Sequence, residues 1–134
     1  MTVTLSSPKT MPPPTGYSQI AEVTKGKLVL IAGQVPHDTD DKLVGAGDFA
    51  AQVEQVFKNV DAAVRAAGGT MKDLAKINNY VVASVTPEQI RAFRDVRDRH
   101  VNTAAPPVST LIYVVRLAQP GWLFEMDAIA AIDG

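Results

Sequence analysis

Apolar residues recur with two different periods along this chain, and each change of period marks a predicted element. Over residues 48–67 they return every three or four positions, which predicts an amphipathic helix with one buried face. The apolar positions of this helix are Phe49, Val53, Val56, Phe57, Val60 and Val64. The pair Gly68-Gly69 follows directly and is typical of a helix end.

A second helix is predicted over residues 86–100, and its start carries a strong local signal. Thr86 is suited to the N-cap, and Pro87 to the first helical position. Gln89 lies where the second half of a capping box is expected. The apolar stripe of this helix consists of Ile90, Phe93 and Val96.

Strand-like runs lie at residues 18–23, 27–35, 76–83 and, around the turn Pro120-Gly121, within 106–130. Lys25-Gly26 predicts a hairpin between the first two, and the last two are expected to be neighbours. Two helices alternating with these strands predict an α+β fold, a mixed sheet with both helices packed on one face. Residues 111–115 are apolar at successive positions, so both faces of that strand are expected to be buried, with oligomerisation as the simplest cover.

The length of 134 residues and the hydrophobic share of 46% fit one compact domain. We expect that domain to span residues 16–134. Residues 1–15 are predicted to be an extended or disordered lead-in, because Pro8 and the run Pro12-Pro13-Pro14 oppose regular structure.

Charge and composition exclude several classes of function. The formal net charge is −1 with both signs interspersed, so we expect neither nucleic acid nor a membrane surface as partner. Cysteine is absent, which removes thiol nucleophiles and disulfides. The two histidines and the acids show no metal-ligand spacing, and no cofactor motif is present, so we predict neither a metal nor a cofactor. A soluble, cytoplasmic protein is the expectation.

Two charged positions need an explanation. On the last predicted strand, Glu125 and Asp127 share one face and apolar residues share the other, which indicates either a solvated face or a carboxylate that handles water in a cleft. Arg97 lies near the middle of the apolar stripe of the second helix. It is predicted either to extend its head to solvent or to bind a carboxylate.

These residues, taken in order, resemble the Rid family, the YjgF-type reactive intermediate deaminases. The matching segments are Gly16-Tyr17-Ser18, Gly33-Gln34-Val35-Pro36, Ala51-Gln52 with Asn59, Ala66-Ala67-Gly68, 93–97 and 124–130. The resemblance implies a chorismate-mutase-like fold, a homotrimer, and clefts between subunits that bind small carboxylate metabolites. It also implies hydrolysis of reactive enamines or imines without metal or cofactor.

Transferred onto this sequence, the resemblance makes Tyr17 a residue of the cleft and Glu125 the acid associated with water. The arginine that clamps the substrate carboxylate in deaminating members is absent, since Ser109 or Val108 occupies its place. Our hypothesis is that Arg97 replaces it from the other wall of the cleft. Ser109 and Thr110 are predicted either to donate hydrogen bonds to a ligand or simply to begin a strand.

The leading functional prediction is a Rid-like hydrolytic deaminase of a small enamine or imine carboxylate. Two alternatives stay open at this point. One is a metabolite-binding trimer without catalysis, and the other is a pathway-specific enzyme that uses the same cleft for another acid–base reaction. Loss of the characteristic arginine weakens the first prediction without choosing between the others.

Overall fold

A computed structural model describes residues 2–133 of the protein as six strands, two α-helices and one short 3-10 helix. In chain order these are β1 (Val3–Ser6), β2 (Ile20–Val23), β3 (Lys27–Gln34), α1 (Phe49–Ala66), the 3-10 helix (Met71–Asp73), β4 (Leu74–Val82), α2 (Pro87–His100), β5 (Val108–Val114) and β6 (Phe124–Ile132). The predicted α+β architecture, a mixed sheet with two helices on one face, is confirmed.

Four strands form the main sheet in the order β3-β6-β4-β5. Strand β6 runs antiparallel to both of its neighbours, whereas β4 and β5 are parallel. The chain therefore crosses from β4 to β5 through α2, as a parallel pair requires. We call the sheet face under α1 and α2 the helix-covered face, and the opposite one the open face.

The positions of both helices, which were predicted from periodicity and capping residues, are confirmed. The Asp48 side chain accepts a hydrogen bond from the Ala51 amide at the start of α1. Thr86 and Gln89 form the predicted capping box, with Pro87 in the first turn of α2. Every apolar position of the α1 stripe is buried against the sheet. Periodicity and capping residues were sufficient here because both act within a few residues.

The predicted pairing of the last two strands is wrong, because β4 lies between β5 and β6. Strand β6 is the most buried strand, and its backbone groups need partners on both edges. Strand β5 lies at an edge, and Ile112 and Tyr113 are 45% and 49% exposed. Burial of both faces of β5 is thus not reached within one chain.

The predicted hairpin at Lys25-Gly26 is also wrong. Strand β2 pairs with β1, and β3 pairs with β6. Gly26 instead permits a close backbone approach, since a Cβ there would lie 2.7 Å from the Ile132 carbonyl oxygen. Ordered structure also begins before Gly16, because the alternating segment Val3–Ser6 precedes the prolines and is free to pair.

Across residues 2–133, no helix combines the length and apolar character that a membrane crossing needs.

Candidate functional site

A cavity of about 400 Å³ lies between α2, the start of β5 and the segment before β2. Its lining residues are Pro13, Thr15, Tyr17, Ile90, Phe93, Arg94, Arg97, Ser109 and Leu111. Three of the five predicted site residues, Tyr17, Arg97 and Ser109, therefore meet at one place. Thr110 and Glu125 do not line it.

Tyr17 is positioned by its neighbour Ser18. The Ser18 hydroxyl donates a hydrogen bond of 2.6 Å to the Pro106 carbonyl, and the Ser18 amide donates one of 3.2 Å to the Pro107 carbonyl. Ser18 is itself buried. These two bonds hold the segment against the beginning of β5, and this brings Tyr17 and Ser109 to the same cavity.

Arg97 is 6% exposed, so its head is not extended into solvent. Its Nε donates to Asp98 Oδ1 at 2.9 Å, and its Cζ lies 5.7 Å from the centre of the Phe93 ring. Within residues 2–133, the two terminal nitrogens have no hydrogen-bond partner. A buried guanidinium with two free donors that lines a cavity is suited to a carboxylate.

Because Gly16 has no Cβ, its backbone leaves room for the Arg97 guanidinium. A Cβ at residue 16 would lie 2.0 Å from Arg97 Nη2, and the backbone of Gly16 has a φ of +75°. Glycine is favoured at this position on both counts. The match of Gly16 to the family pattern thus has a physical basis beside the cavity.

Asn79 of β4 donates a hydrogen bond to the Ser109 hydroxyl. Asn79 Nδ2 donates to Ser109 Oγ and to the Thr110 carbonyl, each at 3.0 Å. Because Ser109 Oγ accepts this bond, its own proton is available to a ligand. Asn79 is 1% exposed, and its Oδ1 is a buried acceptor without a hydrogen-bond partner in the described part of the chain.

Thr110 follows Ser109 on the strand, and its side chain points to the other face of the sheet. It is exposed, and only its backbone carbonyl takes part in the hydrogen bonds around the cavity. A hydroxyl pair formed by Ser109 and Thr110 is therefore not assembled within one chain.

Glu125 lies on the open face, away from the cavity, because Phe124 and Met126 occupy the helix-covered face. Partial burial, and then the negative charge of Asp127, raise the pKa of Glu125 above its usual value. Gly33 passes very close to this side chain, since a Cβ there would lie 2.1 Å from Glu125 Oε2. The backbone at Gly33 thus approaches the Glu125 carboxylate closely.

Asp127, on the same face, is held by two donors. Tyr80 Oη and Asn78 Nδ2 each donate to one of its oxygens at 2.7 Å. The hydrogen bond to Asp127 is the largest cause that raises the pKa of Tyr80. Both carboxylate oxygens of Asp127 are thus occupied as hydrogen-bond acceptors.

Sequence reasoning missed Arg94 and Asn79 at this site. Arg94 lies one turn before Arg97 and is not part of the apolar stripe of Ile90, Phe93 and Val96, yet both arginines line the cavity. The i,i+3 spacing of the two arginines was the available signal. Asn79 could not be found in this way, because its contact to β5 depends on the parallel pairing of β4 and β5.

Fold and site together define a class: an α+β protein of chorismate-mutase-like fold with a cationic small-ligand cavity beside its second helix. The sequence model of the family described as Endoribonuclease L-PSP matches residues 8–132. The chain thus belongs to this family, which includes the Rid, YjgF and RutC proteins.

Solved structures agree with this assignment. YyfB of Yersinia pestis, a Rid family protein described as of unknown function, has a TM-score of 0.87 at 32% identity, covering 98% of this chain and 100% of its own. RidA of an Antarctic Psychrobacter has a TM-score of 0.69 at 28% identity, covering 98% and 99%. Protein DfrA of Myxococcus xanthus is 31% identical over 124 residues, covering 92% of this chain and 88% of its own. Family membership supports a role in processing small molecules.

Proposed function

We propose that the protein is a hydrolytic deaminase of a small enamine or imine carboxylate, acting in a cleft between subunits of a homotrimer. The observation that carries the proposal is Arg97, a buried residue that lines a cavity of about 400 Å³ and whose two terminal nitrogens have no hydrogen-bond partner among residues 2–133. A carboxylate would accept both of these N–H groups in a bidentate pair. The proposal thus keeps the hypothesis that Arg97 replaces the absent arginine of the family.

The chemistry consists of positioning and proton transfer. Arg97 holds the substrate carboxylate, and Ser109 donates its free proton to the ligand. An enamine first takes a proton on carbon and gives up one from nitrogen, which makes it an imine. Water then adds to the C=N carbon and one of its protons passes to nitrogen. The remaining hydroxyl proton follows to nitrogen as the C–N bond breaks, the C=O bond of the keto acid forms and ammonia leaves.

Glu125 is assigned to the water and its protons. A raised pKa favours this role, because it brings the carboxyl group closer to the pH at which it both accepts and donates a proton. In one chain Glu125 is on the open face and the cavity is on the helix-covered face. The proposal therefore requires that Glu125 of a second copy reaches the cavity.

The test is release of ammonia and keto acid from freshly generated 2-aminoacrylate and from a branched-chain imino acid. We expect hydrolysis faster than in buffer, and a loss of about a hundredfold in both Glu125→Ala and Arg97→Ala, the typical size of a positioned acid–base group. Arg91→Ala is the matched control, because Arg91 is exposed on the same helix and does not line the cavity. No acceleration by a folded trimer would reject deamination of these substrates.

A metabolite-binding trimer without catalysis is the second candidate. It is favoured by the absence of an acid from the cavity of a single chain and by Ser109 in the place of the usual arginine. In that case a keto acid would bind to wild type and fail to bind to Arg97→Ala, while Glu125→Ala would bind normally and no variant would release ammonia.

A further inference from the structure

Two arginines line the candidate cavity, and among residues 2–133 no acidic side chain lines it. Arg94 and Arg97 are three residues apart on α2, so their side chains lie on adjacent turns of one helix face. The polar groups that complete the lining are hydroxyls, those of Thr15, Tyr17 and Ser109. The lining side chains therefore offer two guanidinium groups to an anionic ligand.

The two arginines differ in how they are held. Arg97 is buried and shares its Nε with Asp98, which leaves its two terminal nitrogens for a ligand. Arg94 is exposed at the cavity, and no ion pair joins it to an acid of residues 2–133. Asp98, which lies one turn after Arg94 on the same helix, forms its ion pair with Arg97 instead. Arg94 is thus free to turn toward a ligand.

We propose that the cavity selects a small dicarboxylate, with one carboxylate on Arg97 and the second on Arg94. This inference rests on the proposed function, which places the first carboxylate at Arg97. Arg94 would be a specificity-determining residue, because a monocarboxylate leaves its charge without a partner.

Spacing and lining suit such a ligand. Side chains three residues apart on a helix begin about 5–6 Å apart, which corresponds to carboxylates joined by about two or three carbons. Ile90, Phe93 and Leu111 supply apolar surface for those carbons, and Ser109 and Tyr17 supply hydrogen-bonding groups. A short 2-oxo or 2-imino dicarboxylate satisfies all three features.

Binding calorimetry with two stable keto acids tests the inference without relying on turnover. The probes are 2-oxobutyrate, with one carboxylate, and 2-oxoglutarate, with two. For wild type we expect 2-oxoglutarate to bind about two- to fivefold more tightly, the contribution of one further exposed ion pair. Arg94→Gln should remove this preference, because it lowers the affinity for 2-oxoglutarate more than the affinity for 2-oxobutyrate. Arg91→Gln, the matched control, should retain the preference.

The outcomes separate this inference from the proposed function. Equal binding of both probes to wild type, or a preference that survives Arg94→Gln, overturns the role of Arg94 and leaves the deaminase proposal standing. If Arg97→Gln binds both probes as wild type does, the carboxylate clamp is wrong. If wild type binds neither probe, the ligand class is wrong and both proposals fall.

Discussion

At the scale of single residues, the site depends on two glycines that allow a charged side chain to lie against the backbone. Gly16 makes room for the Arg97 guanidinium, and Gly33 makes room for the Glu125 carboxylate. In each case a Cβ would lie within about 2.1 Å of a terminal side-chain atom. Each glycine therefore leaves space for the charged side chain beside it. This role depends on a contact between distant residues and cannot be predicted from the local sequence around the glycine.

Gly16→Ala should displace Arg97 and weaken ligand binding. We expect an affinity for 2-oxobutyrate at least about tenfold lower, since the bidentate geometry is lost. Gly47→Ala is the matched control, because Gly47 has a similar φ of +71° but no atom within 4 Å of its added Cβ. Both variants bear the backbone cost of about 1–2 kcal/mol. Calorimetry would contradict the steric account if the two variants bound equally well.

The raised pKa of Glu125 predicts a pH-dependent stability. The folded protein binds this proton more tightly than the unfolded chain, so the contribution of Glu125 is fully present below its unfolded pKa. It is lost as the pH rises through the folded pKa. Glu125→Gln should therefore melt above wild type at pH 8, and the two melting curves should converge in acid.

Asp127→Asn is the contrasting variant. It removes a negative charge beside Glu125, but it also takes a carboxylate oxygen from Tyr80 or Asn78. We expect a lower melting temperature at neutral pH, because the loss of a hydrogen bond to a charged group costs about 1.5–3 kcal/mol.

For Glu125→Gln, a melting temperature below that of wild type at pH 8 would show that the Glu125 carboxylate is stabilising. This result would contradict the direction of its pKa shift.

At the scale of elements, Gln52 joins α1 to two loops. Its Nε2 donates to the carbonyls of Gly45 and Gly121 at 3.1 and 3.0 Å, and its Oε1 accepts from the Leu123 amide at 2.8 Å. Gln52 is fully buried. The match of this residue to the family pattern thus has a structural explanation, since it holds the entrance of β6 beside α1.

Gln52→Ala should destabilise the protein by about 2–4 kcal/mol, because three backbone groups lose a partner and a cavity forms where the buried Gln52 side chain was. Urea unfolding monitored by circular dichroism measures this. Gln55→Ala is the control on the same helix. Its contacts, to the His37 carbonyl at 3.4 Å and to Asn59 Oδ1 at 2.9 Å, lie in a partly exposed region, so a smaller loss is expected. Equal losses would contradict the assignment.

At the scale of the whole molecule, the open face of the sheet lacks a cover. Leu28 and Leu30 of β3 are 60% and 72% exposed, and Ile112 of β5 is 45% exposed. Apolar surface of this kind marks a contact with another protein surface. The proposed homotrimer would bury it and bring Glu125 of one copy toward the cavity of another.

Leu30→Glu should disrupt the proposed trimer, because it places a charge on the exposed apolar part of the open face at β3. Light scattering after size exclusion should then give a smaller mass than for wild type, together with loss of any deaminase activity. Ala62→Glu, at an exposed position of α1, is the control and should keep the wild-type mass. A trimer that survives Leu30→Glu would exclude this face as the contact.

The sequence by itself determined the features that depend on neighbours a few residues away. The span of α1 and the place of Arg97 within the apolar stripe of α2 follow from spacing at the helical period, and the capping box of α2 follows from residues three positions apart. The alternation that places Glu125 and Asp127 opposite Phe124 and Met126 follows in the same way from the strand period. Together with the family motifs, these were enough for the fold class.

Only the tertiary structure decided which strands are neighbours and which charged groups meet. Strand β6 entered the centre of the sheet and β1 paired with β2, because pairing depends on the burial and backbone hydrogen bonds of distant segments. The packing of the elements also places Arg94 at the cavity, and it places the cavity on the face of the sheet opposite to Glu125. Periodicity orients a side chain relative to its own element, and the packing of elements determines what that side chain contacts.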